Sequence, residues 1–259
     1  MRCFQSDMKR ALASWGFWAG AAGLVIALVI GSFDSFLRIG AEGANLQAGF
    51  HETVLLASLS SDTVLLVAPI LCALPFTASF VDDCASGFIK FSLQRSGKCS
   101  YLAARAFSTA LSGGLALFTG IAVAYVLFVL VFTPAESLPA QVVGAAPAAL
   151  PPSVFADVLA RALLFLLCGA FWSLVGQLFA SFTMSRYVAY ASPFIFYYVL
   201  VILSERYMKD IYVLNPKLWL NPAEVWPGGG WSAVLFLAEL TVAAGLLFAY
   251  SAGRRLRYD

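Results

Sequence analysis

The residue types that most often carry out chemistry in proteins are scarce in this chain, and they are widely spaced. Its one histidine, His51, stands beside Glu52 with no cysteine nearby, so this pair is a poor zinc site. The five cysteines form no C-x-x-C pair, which favours free thiols over a metal site or a structural disulfide; they are Cys3, Cys72, Cys84, Cys99 and Cys168. We therefore expect neither a metal ion nor a bound cofactor.

A lone carboxylate, Glu239, is the second feature with chemical potential, because it lies near the middle of the apolar stretch 231–252. A charged group at that depth in a membrane is costly, and it usually faces a cavity or a partner. Two interpretations stay open: Glu239 lies on a substrate path or subunit contact, or it is protonated or paired within a helix bundle. An intramembrane enzyme is not expected, because such enzymes need paired aspartates, a Ser/His set or an H-E-x-x-H motif within the spans.

The composition shows what kind of structure must hold these residues. Hydrophobic residues make up 61% of the 259 residues and charged residues only 12%, whereas soluble domains carry roughly 45–50% and about 25%. So much apolar surface requires contact with lipid. The formal net charge of +2 gives no reason to expect a nucleic-acid partner.

The sequence contains continuous apolar stretches of about 20 residues, which predict membrane-spanning helices. The strands of a β-barrel would instead alternate polar and apolar residues. The apolar stretches lie at 16–33, 63–81, 106–132, 162–184, 187–204 and 231–252. The predicted fold is therefore all-α: one polytopic transmembrane domain over residues 1–259, with six membrane-spanning helices. Prolines within the spans should kink them, at Pro69, Pro75 and Pro193.

The distribution of basic residues predicts the orientation. Six spans place both termini on one side, and eleven of the sixteen lysines and arginines then lie on that side. Cytoplasmic loops are enriched in these residues. We therefore expect a plasma-membrane protein, in a bacterial cell, with both termini in the cytoplasm. Trp219, Trp226 and Trp231 are expected at the outer interface, where aromatic rings lie at headgroup depth.

The sequence of residues 1–14 predicts a helix that lies flat on the cytoplasmic surface of the membrane. Their apolar side chains recur every four positions, opposite Lys9 and Arg10, and so form one stripe on a helix; they are Phe4, Met8 and Leu12. A helix with one apolar and one basic face binds in the plane of the membrane interface.

The loop between the second and third spans carries another amphipathic segment, predicted as one short helix over residues 83–95. Ser86 is placed to cap it, and Gly87 lets the chain turn sharply, since glycine accepts a positive φ without strain. Its apolar side chains form a ridge that would dock onto a soluble partner: Phe88, Phe91 and Leu93. Asp83 and Arg95 are expected at the rim of that contact, where charges set register more than affinity.

This loop resembles that of the permease subunits of type-2 ABC transporters. The pattern there is an acidic residue, a glycine four positions later, a short apolar helix, an arginine and then Tyr-Leu at the start of the third span. It matches this sequence at Asp83, Gly87, 88–93, Arg95 and Tyr101-Leu102. In the family a basic residue opens the third span. The corresponding residue in this sequence is Arg105, which follows two alanines. It either snorkels to the membrane surface or pairs with Asp82 or Asp83.

The resemblance implies a function as well as a fold. In that family a six-span permease works with a second permease subunit, and the helix after its second span couples it to an ATP-binding subunit. This chain has no G-x-x-x-x-G-K-[ST] loop, so we expect ATP hydrolysis on a separate polypeptide and no enzymatic activity here. The expected function is the permease of an ATP-driven exporter of an amphipathic or hydrophobic substrate. The alternatives are a small transporter driven by an ion gradient and a membrane scaffold or self-protection protein without transport.

Overall fold

The computed structural model describes residues 2–33, 50–131, 152–208, 211–221, 226 and 230–256. These residues form helices and short turns with no strand among them, so the all-α prediction is confirmed for this part of the chain. In chain order the α-helices are α1 (Arg2–Leu12), α2 (Trp15–Gly31), α3 (Phe50–Leu59), α4 (Asp62–Leu71), α5 (Ser79–Ala85), α6 (Phe88–Ser96), α7 (Lys98–Val131), α8 (Pro152–Thr183), α9 (Arg186–Ile202), α10 (Pro216–Trp219) and α11 (Gly230–Arg255). A π-helical turn, Leu203–Tyr207, extends α9, and a 3₁₀ turn, Tyr212–Leu214, precedes α10.

Four helices are long and apolar enough to cross a membrane: α7, most of α8, α9 with its π-helical turn, and α11. Two further pairs reach the required length only together. They are Phe4–Leu12 with Trp15–Gly31, bent by 52°, and His51–Leu59 with Asp62–Leu71, bent by 68°. The structure therefore supports a polytopic membrane protein with four spans, or up to six if each bent pair is one span. The predicted six is the upper limit.

The predicted surface helix at 1–14 and the predicted first span at 16–33 correspond to α1 and α2. Ser14 separates the two helices. Its Oγ accepts the N–H of Phe17 at 3.2 Å and donates to the carbonyl of Ala11 at 2.7 Å. A serine in this position satisfies an N–H at the start of α2, as helix caps commonly do. The cap therefore fixes the bend between α1 and α2.

The predicted second span, 63–81, is not one helix. Helix α4 ends at Leu71, residues 72–78 form turns, and α5 begins at Ser79. Pro75 favours the break, because proline lacks the N–H that a helix needs and disfavours helical backbone in the residue before it. The other two prolines within predicted spans lie inside α4 and α9 without ending them.

Helix α2 covers the turns at 72–78 and approaches them through glycines. A Cβ atom at Gly20 would lie 2.7 Å from the carbonyl oxygen of Leu71, and one at Gly16 would collide with that of Leu74. Non-helical backbone is tolerated within a membrane only where protein or a water-filled cavity covers it. The glycines of α2 therefore allow the second span to break at this point.

Helices α7 and α8 run antiparallel through the centre of the bundle. A Cβ atom at Gly113 of α7 would lie 2.6 Å from the Cβ of Ser173 on α8, so the two helices are in close contact through small residues. Helix α3 joins the same core, because its Leu55 and Leu59 are fully buried.

The bundle has two ends. We call one the α1 end; it contains α1, α5, α6, the start of α7 and the end of α11, where the rings of Phe80 and Phe248 meet edge-on at 5.4 Å. We call the other the α3 end; it contains α3, the end of α7, the start of α8 and the described residues between 203 and 221.

The tryptophans expected at the outer interface differ in their placement. Trp219, at the α3 end, is only 2% exposed, and its ring stacks on that of Trp172 at 6.0 Å. Trp226 is half-buried and donates its indole N–H to the carbonyl of Leu218 at 3.1 Å. Trp219 is therefore packed inside the bundle and not exposed at a surface, because the segment around α10 folds back onto α8 and inserts this ring. Trp231 is exposed.

Candidate functional site

Five side chains that carry charges or a hydroxyl group meet at the α1 end, and we call them the charge cluster: Asp7, Arg10, Asp83, Tyr101 and Arg105. Its central member is Arg105 of α7, which is fully buried. The guanidinium group pairs with the carboxylate of Asp83 at the end of α5, and its Nη1 lies 3.6 Å from Oδ1 of Asp7 on α1. Of the placements considered for Arg105, the structure therefore has the ion pair with Asp83.

Tyr101 supports this ion pair from one turn earlier on α7. Residues four apart on a helix lie on the same face, so the hydroxyl of Tyr101 reaches both partners. It donates to Oδ2 of Asp83 at 3.0 Å and accepts from Nη2 of Arg105 at 3.1 Å. The guanidinium group also lies 4.9 Å from the ring centroid of Phe76, which is within range of a cation–π contact. These contacts compensate a charge that burial alone would disfavour strongly.

The two members on α1 have different surroundings. Arg10 is half-exposed; its Nη2 lies 3.5 Å from Oδ1 of Asp83, and its Nη1 lies 3.9 Å from Oδ1 of Asp7. Asp7 is buried, and burial raises its pKa even though the guanidinium groups of Arg105 and Arg10 act in the opposite direction. At Asp7, therefore, the cost of desolvation exceeds the gain from its partners.

The segment predicted as one helix over 83–95 is two helices. Helix α5 ends at Ala85, and α6 spans Phe88–Ser96. Gly87 joins them with a φ of 71°, and a Cβ atom there would meet nothing within 4 Å. The backbone conformation, not lack of space, thus favours glycine at this turn, as predicted. Ser86 does not cap α6, because it belongs to the end of α5, where its Oγ donates to the carbonyl of Asp83 at 3.4 Å.

The apolar side chains of α6 point in two directions. Phe88 and Phe91 are 50% and 68% exposed. Leu93 turns the other way and is half-buried, next to a small core that includes the buried Ile89. The predicted ridge therefore consists of Phe88 and Phe91 alone. Ile89 was missed, although its spacing of four residues from Leu93 indicated a second apolar stripe.

The two charges expected at the rim of the docking surface are also separated. Arg95 is exposed in the last turn of α6. Asp83 is buried beside Arg105 and is not on a docking surface. The expected position of Asp83 is therefore corrected: its carboxylate holds the end of α5 against α7.

Several residues of the matched pattern thus form one structural unit. Tyr101 and Leu102 are buried together with Ile89 of α6, and Tyr101 contacts Asp83. Gly87 sets the angle between α5 and α6. The unit attaches a short amphipathic helix to the start of the long helix α7.

A cleft of about 430 Å³ opens between α1 and α6. Ser6, Asp7 and Arg10 line one side, and Phe88, Ser92 and Arg95 line the other. The guanidinium carbon of Arg10 lies 5.9 Å from the ring centroid of Phe88. The cleft therefore combines basic, hydroxyl and aromatic groups directly above the charge cluster.

Glu239 lies on the outward face of α11. It is exposed, and so are the residues that share this face at positions three to four apart: Leu235, Val242 and Leu246. Among the described residues it forms no ion pair with a lysine, arginine or histidine. In this chain, then, Glu239 points away from the bundle, toward whatever surrounds α11.

A further polar group lies at the α3 end, where sequence reasoning placed only an outer loop. Glu52 of α3 is buried, and Oε1 of its carboxylate accepts the hydroxyl of Tyr125 at 3.3 Å. Nε2 of His51 lies 3.8 Å from the same oxygen. The apolar residues that follow, Val54 and Leu55, were the signal that a packed helix starts here.

Searches against protein-family models, curated proteins and solved structures find no match to this chain. Its function must therefore be inferred from the geometry and chemistry described above. Among the described residues, no group of three or more histidine, cysteine, aspartate or glutamate side chains could hold a metal ion.

Proposed function

We propose that this chain is the membrane-spanning permease subunit of an ATP-driven ABC transporter, with both termini in the cytoplasm. A separate subunit binds and hydrolyses ATP, and a second permease subunit, identical or different, completes the membrane part. The cargo is an amphipathic or hydrophobic molecule that is exported. The observation that carries this proposal is α6, a short helix that presents two exposed aromatic rings and is fastened to α5 and α7.

The mechanism follows from how α6 is fastened. Ile89 and Leu93 pack α6 against Tyr101 and Leu102 of α7, and Gly87 connects it to α5. Arg105 links α7 to both α5 and α1 through its two carboxylate partners. A push on Phe88 and Phe91 by an ATPase would therefore move the ends of several helices together, and packed helices convert such displacements into shifts between discrete arrangements.

The chemistry of the exposed surface is suited to such a partner. Phe88 and Phe91 are large apolar groups outside the core, and buried aromatic anchors contribute about 2 kcal/mol or more each in protein interfaces. The sequence contains no G-x-x-x-x-G-K-[ST] loop, which favours placing the ATPase on another chain. An ATPase encoded next to this chain would be the first candidate.

The test is the double substitution Phe88→Ala and Phe91→Ala. We expect it to release the ATPase while the permease stays folded and inserted, because neither ring belongs to the buried core of α6. Co-purification of the two subunits in detergent measures the effect, with ATP hydrolysis as a second readout. The matched control is Phe182→Ala with Tyr187→Ala, which removes two exposed rings from the α8–α9 turn.

Wild-type recovery of the ATPase with the Phe88/Phe91 variant would show that α6 is not the coupling element. If substrate movement then proves to depend on a proton or sodium gradient rather than on ATP, the ion-gradient transporter becomes the better explanation. If no substrate movement is found, a scaffold or self-protection role becomes the better explanation.

A further inference from the structure

The cleft between α1 and α6 has a chemical character that docking of an ATPase does not explain. Two arginines face each other across it, Arg10 from α1 and Arg95 from α6. The side chain of Arg10 is 48% exposed, and its distances to Asp7 and Asp83 are long, at 3.9 Å and 3.5 Å. Arg95 is exposed and forms no ion pair with any residue that the structure describes. Both guanidinium groups are therefore available to an incoming anion.

The acidic lining of the cleft does not cancel this charge. Asp7 is the one acid among the residues that line the cleft, and its Oδ1 lies 3.6 Å from Arg105, which is itself buried beneath the cleft. Ser6 and Ser92 add neutral hydroxyl donors on the two sides. Arginine and hydroxyl groups together match the oxygens of a phosphate group.

The position of the cleft indicates where that phosphate comes from. Helix α2 starts directly after α1 with Trp15 and Trp18, which are 90% and 62% exposed, and exposed tryptophans mark the headgroup level of a membrane. On α1, Phe4 contacts Phe107 of the membrane-spanning α7 at 5.3 Å between ring centroids. Phe107 is itself 60% exposed, so an apolar surface for acyl chains begins beside the cleft.

We propose that this cleft binds the phosphate group of an anionic phospholipid from the cytoplasmic leaflet. The two arginines contact the phosphate oxygens, and the acyl chains lie along the exposed surface of α7 near Phe107. Basic pockets between helices on the cytoplasmic side of membrane proteins bind anionic headgroups in this way. The volume of about 430 Å³ corresponds to about fourteen water molecules at roughly 30 Å³ each, which is enough room for a headgroup. The exposed tryptophans of α2 and the exposed Phe107 favour a lipid over an acidic segment of a partner protein as the occupant.

The test uses the purified full-length chain in detergent, and the lipid measurement does not require the ATPase. Binding of phosphatidylglycerol and of phosphatidylcholine is measured by native mass spectrometry across a lipid titration. We expect the wild type to prefer phosphatidylglycerol. Arg10→Gln with Arg95→Gln should weaken phosphatidylglycerol binding about twenty-five-fold, and Arg95→Gln alone about five-fold, since each basic residue near an anionic surface contributes about a factor of five. The single variant Arg95→Gln is not expected to misfold, because Arg95 is exposed, so a loss of binding in it reports on the cleft itself.

Two controls define the outcomes that overturn the proposal. Arg206→Gln with Lys217→Gln removes two positive charges from the α3 end and should leave binding unchanged; an equal loss there would mean that binding follows net charge only. Inorganic phosphate should not displace the lipid, and displacement at matched concentrations would assign the site to free phosphate. If the Arg10/Arg95 variant keeps the lipid but releases the ATPase, the cleft belongs to a protein partner.

Discussion

The two ends of the bundle fasten their short segments by different means. At the α1 end, buried ions hold α1 and α5 against α7, and the side chains of Arg105, Asp7 and Asp83 are all less than 10% exposed. At the α3 end, Lys217 lies 3.2 Å from both Asp62 and Glu205, but these side chains are 33–85% exposed. These ion pairs are therefore buried at one end and mostly solvated at the other.

The α3 end uses aromatic packing instead. Trp219 inserts its ring among those of Phe171, Trp172 and Phe236, with centroid distances of 5.7–6.0 Å. Its indole N–H donates to the carbonyl of Val213 at 2.7 Å. Apolar burial is non-directional, whereas a buried ion pair requires fixed partners. The α1 end is consequently suited to transmit a displacement between helices, and the α3 end to close the bundle.

The largest effect on stability is expected from Arg105→Gln. The substitution leaves Asp83 buried without its cation, and removing one partner of a buried ion pair costs about 3–5 kcal/mol. The matched substitution at the other end, Lys217→Gln, should cost no more than about 1 kcal/mol, because exposed pairs contribute little. Unfolding in detergent, followed by far-UV circular dichroism, measures both. Similar losses of stability in the two variants would contradict the proposed difference between the two ends.

A somewhat smaller effect is expected from Trp219→Ala at the α3 end. Truncating a buried aromatic side chain costs about 3 kcal/mol or more, and the short segment around α10 can collapse partly into the space. The control is Trp231→Ala, which removes a tryptophan that is already exposed and should have little effect. Thermal unfolding of the purified chain distinguishes them. Equal stability of the two variants would mean that the aromatic cluster does not hold this end.

The substitution Asp7→Asn should change stability by no more than about 1 kcal/mol, because the cost of burying the carboxylate disappears together with its attraction to arginine. A raised pKa in the folded state means that the folded chain takes up a proton before the unfolded chain does. The stability of the wild type should therefore rise as the pH falls from the raised pKa of Asp7 toward 3.8. This rise should be absent from Asp7→Asn, as a comparison of unfolding midpoints across that pH range would show. A rise of the same size in both proteins would assign it to another carboxyl group.

Some of these structural features could be predicted from the sequence, because they depend on local patterns. Long apolar stretches predicted the four helices that are long enough to cross a membrane. The glycine before Phe88 predicted the turn into α6. The break at 72–78 needed more than Pro75, since Pro69 and Pro193 lie inside unbroken helices. Gly16 and Gly20 of α2 pack against the broken segment, and no local pattern in the sequence shows that contact.

The charge cluster and the buried Trp219 illustrate the same limit. From the sequence alone, Asp83 could lie in an exposed loop or in a buried core. Its burial depends on Arg105, which lies 22 positions later in the sequence. Trp219 matched the composition of a membrane interface, yet its segment folds back onto α8. In both cases the deciding contact joins residues that are distant in sequence, so spacing alone could not separate the alternatives.

The smallest effect on stability, and the most informative one for function, is expected from Glu239→Gln. Asp83 finds its cation within this chain, whereas Glu239 lies on an exposed apolar face of α11. The isolated chain should therefore unfold at the same temperature with or without this charge. If a second permease subunit covers the face, the variant should lower both the association of the subunits, measured by cross-linking in membranes, and substrate transport.

Leu235→Ala is the matched control for Glu239→Gln, because it changes the same face of α11 without altering a charge. A loss of transport specific to Glu239→Gln would indicate that the carboxylate itself has a partner outside the chain, as a subunit contact or on a substrate path. Full transport and association in Glu239→Gln would contradict that role. The charge would then be tolerated on α11 without a function, and the buried ion pairs of Arg105 at the α1 end would remain the stronger candidates for a functional role.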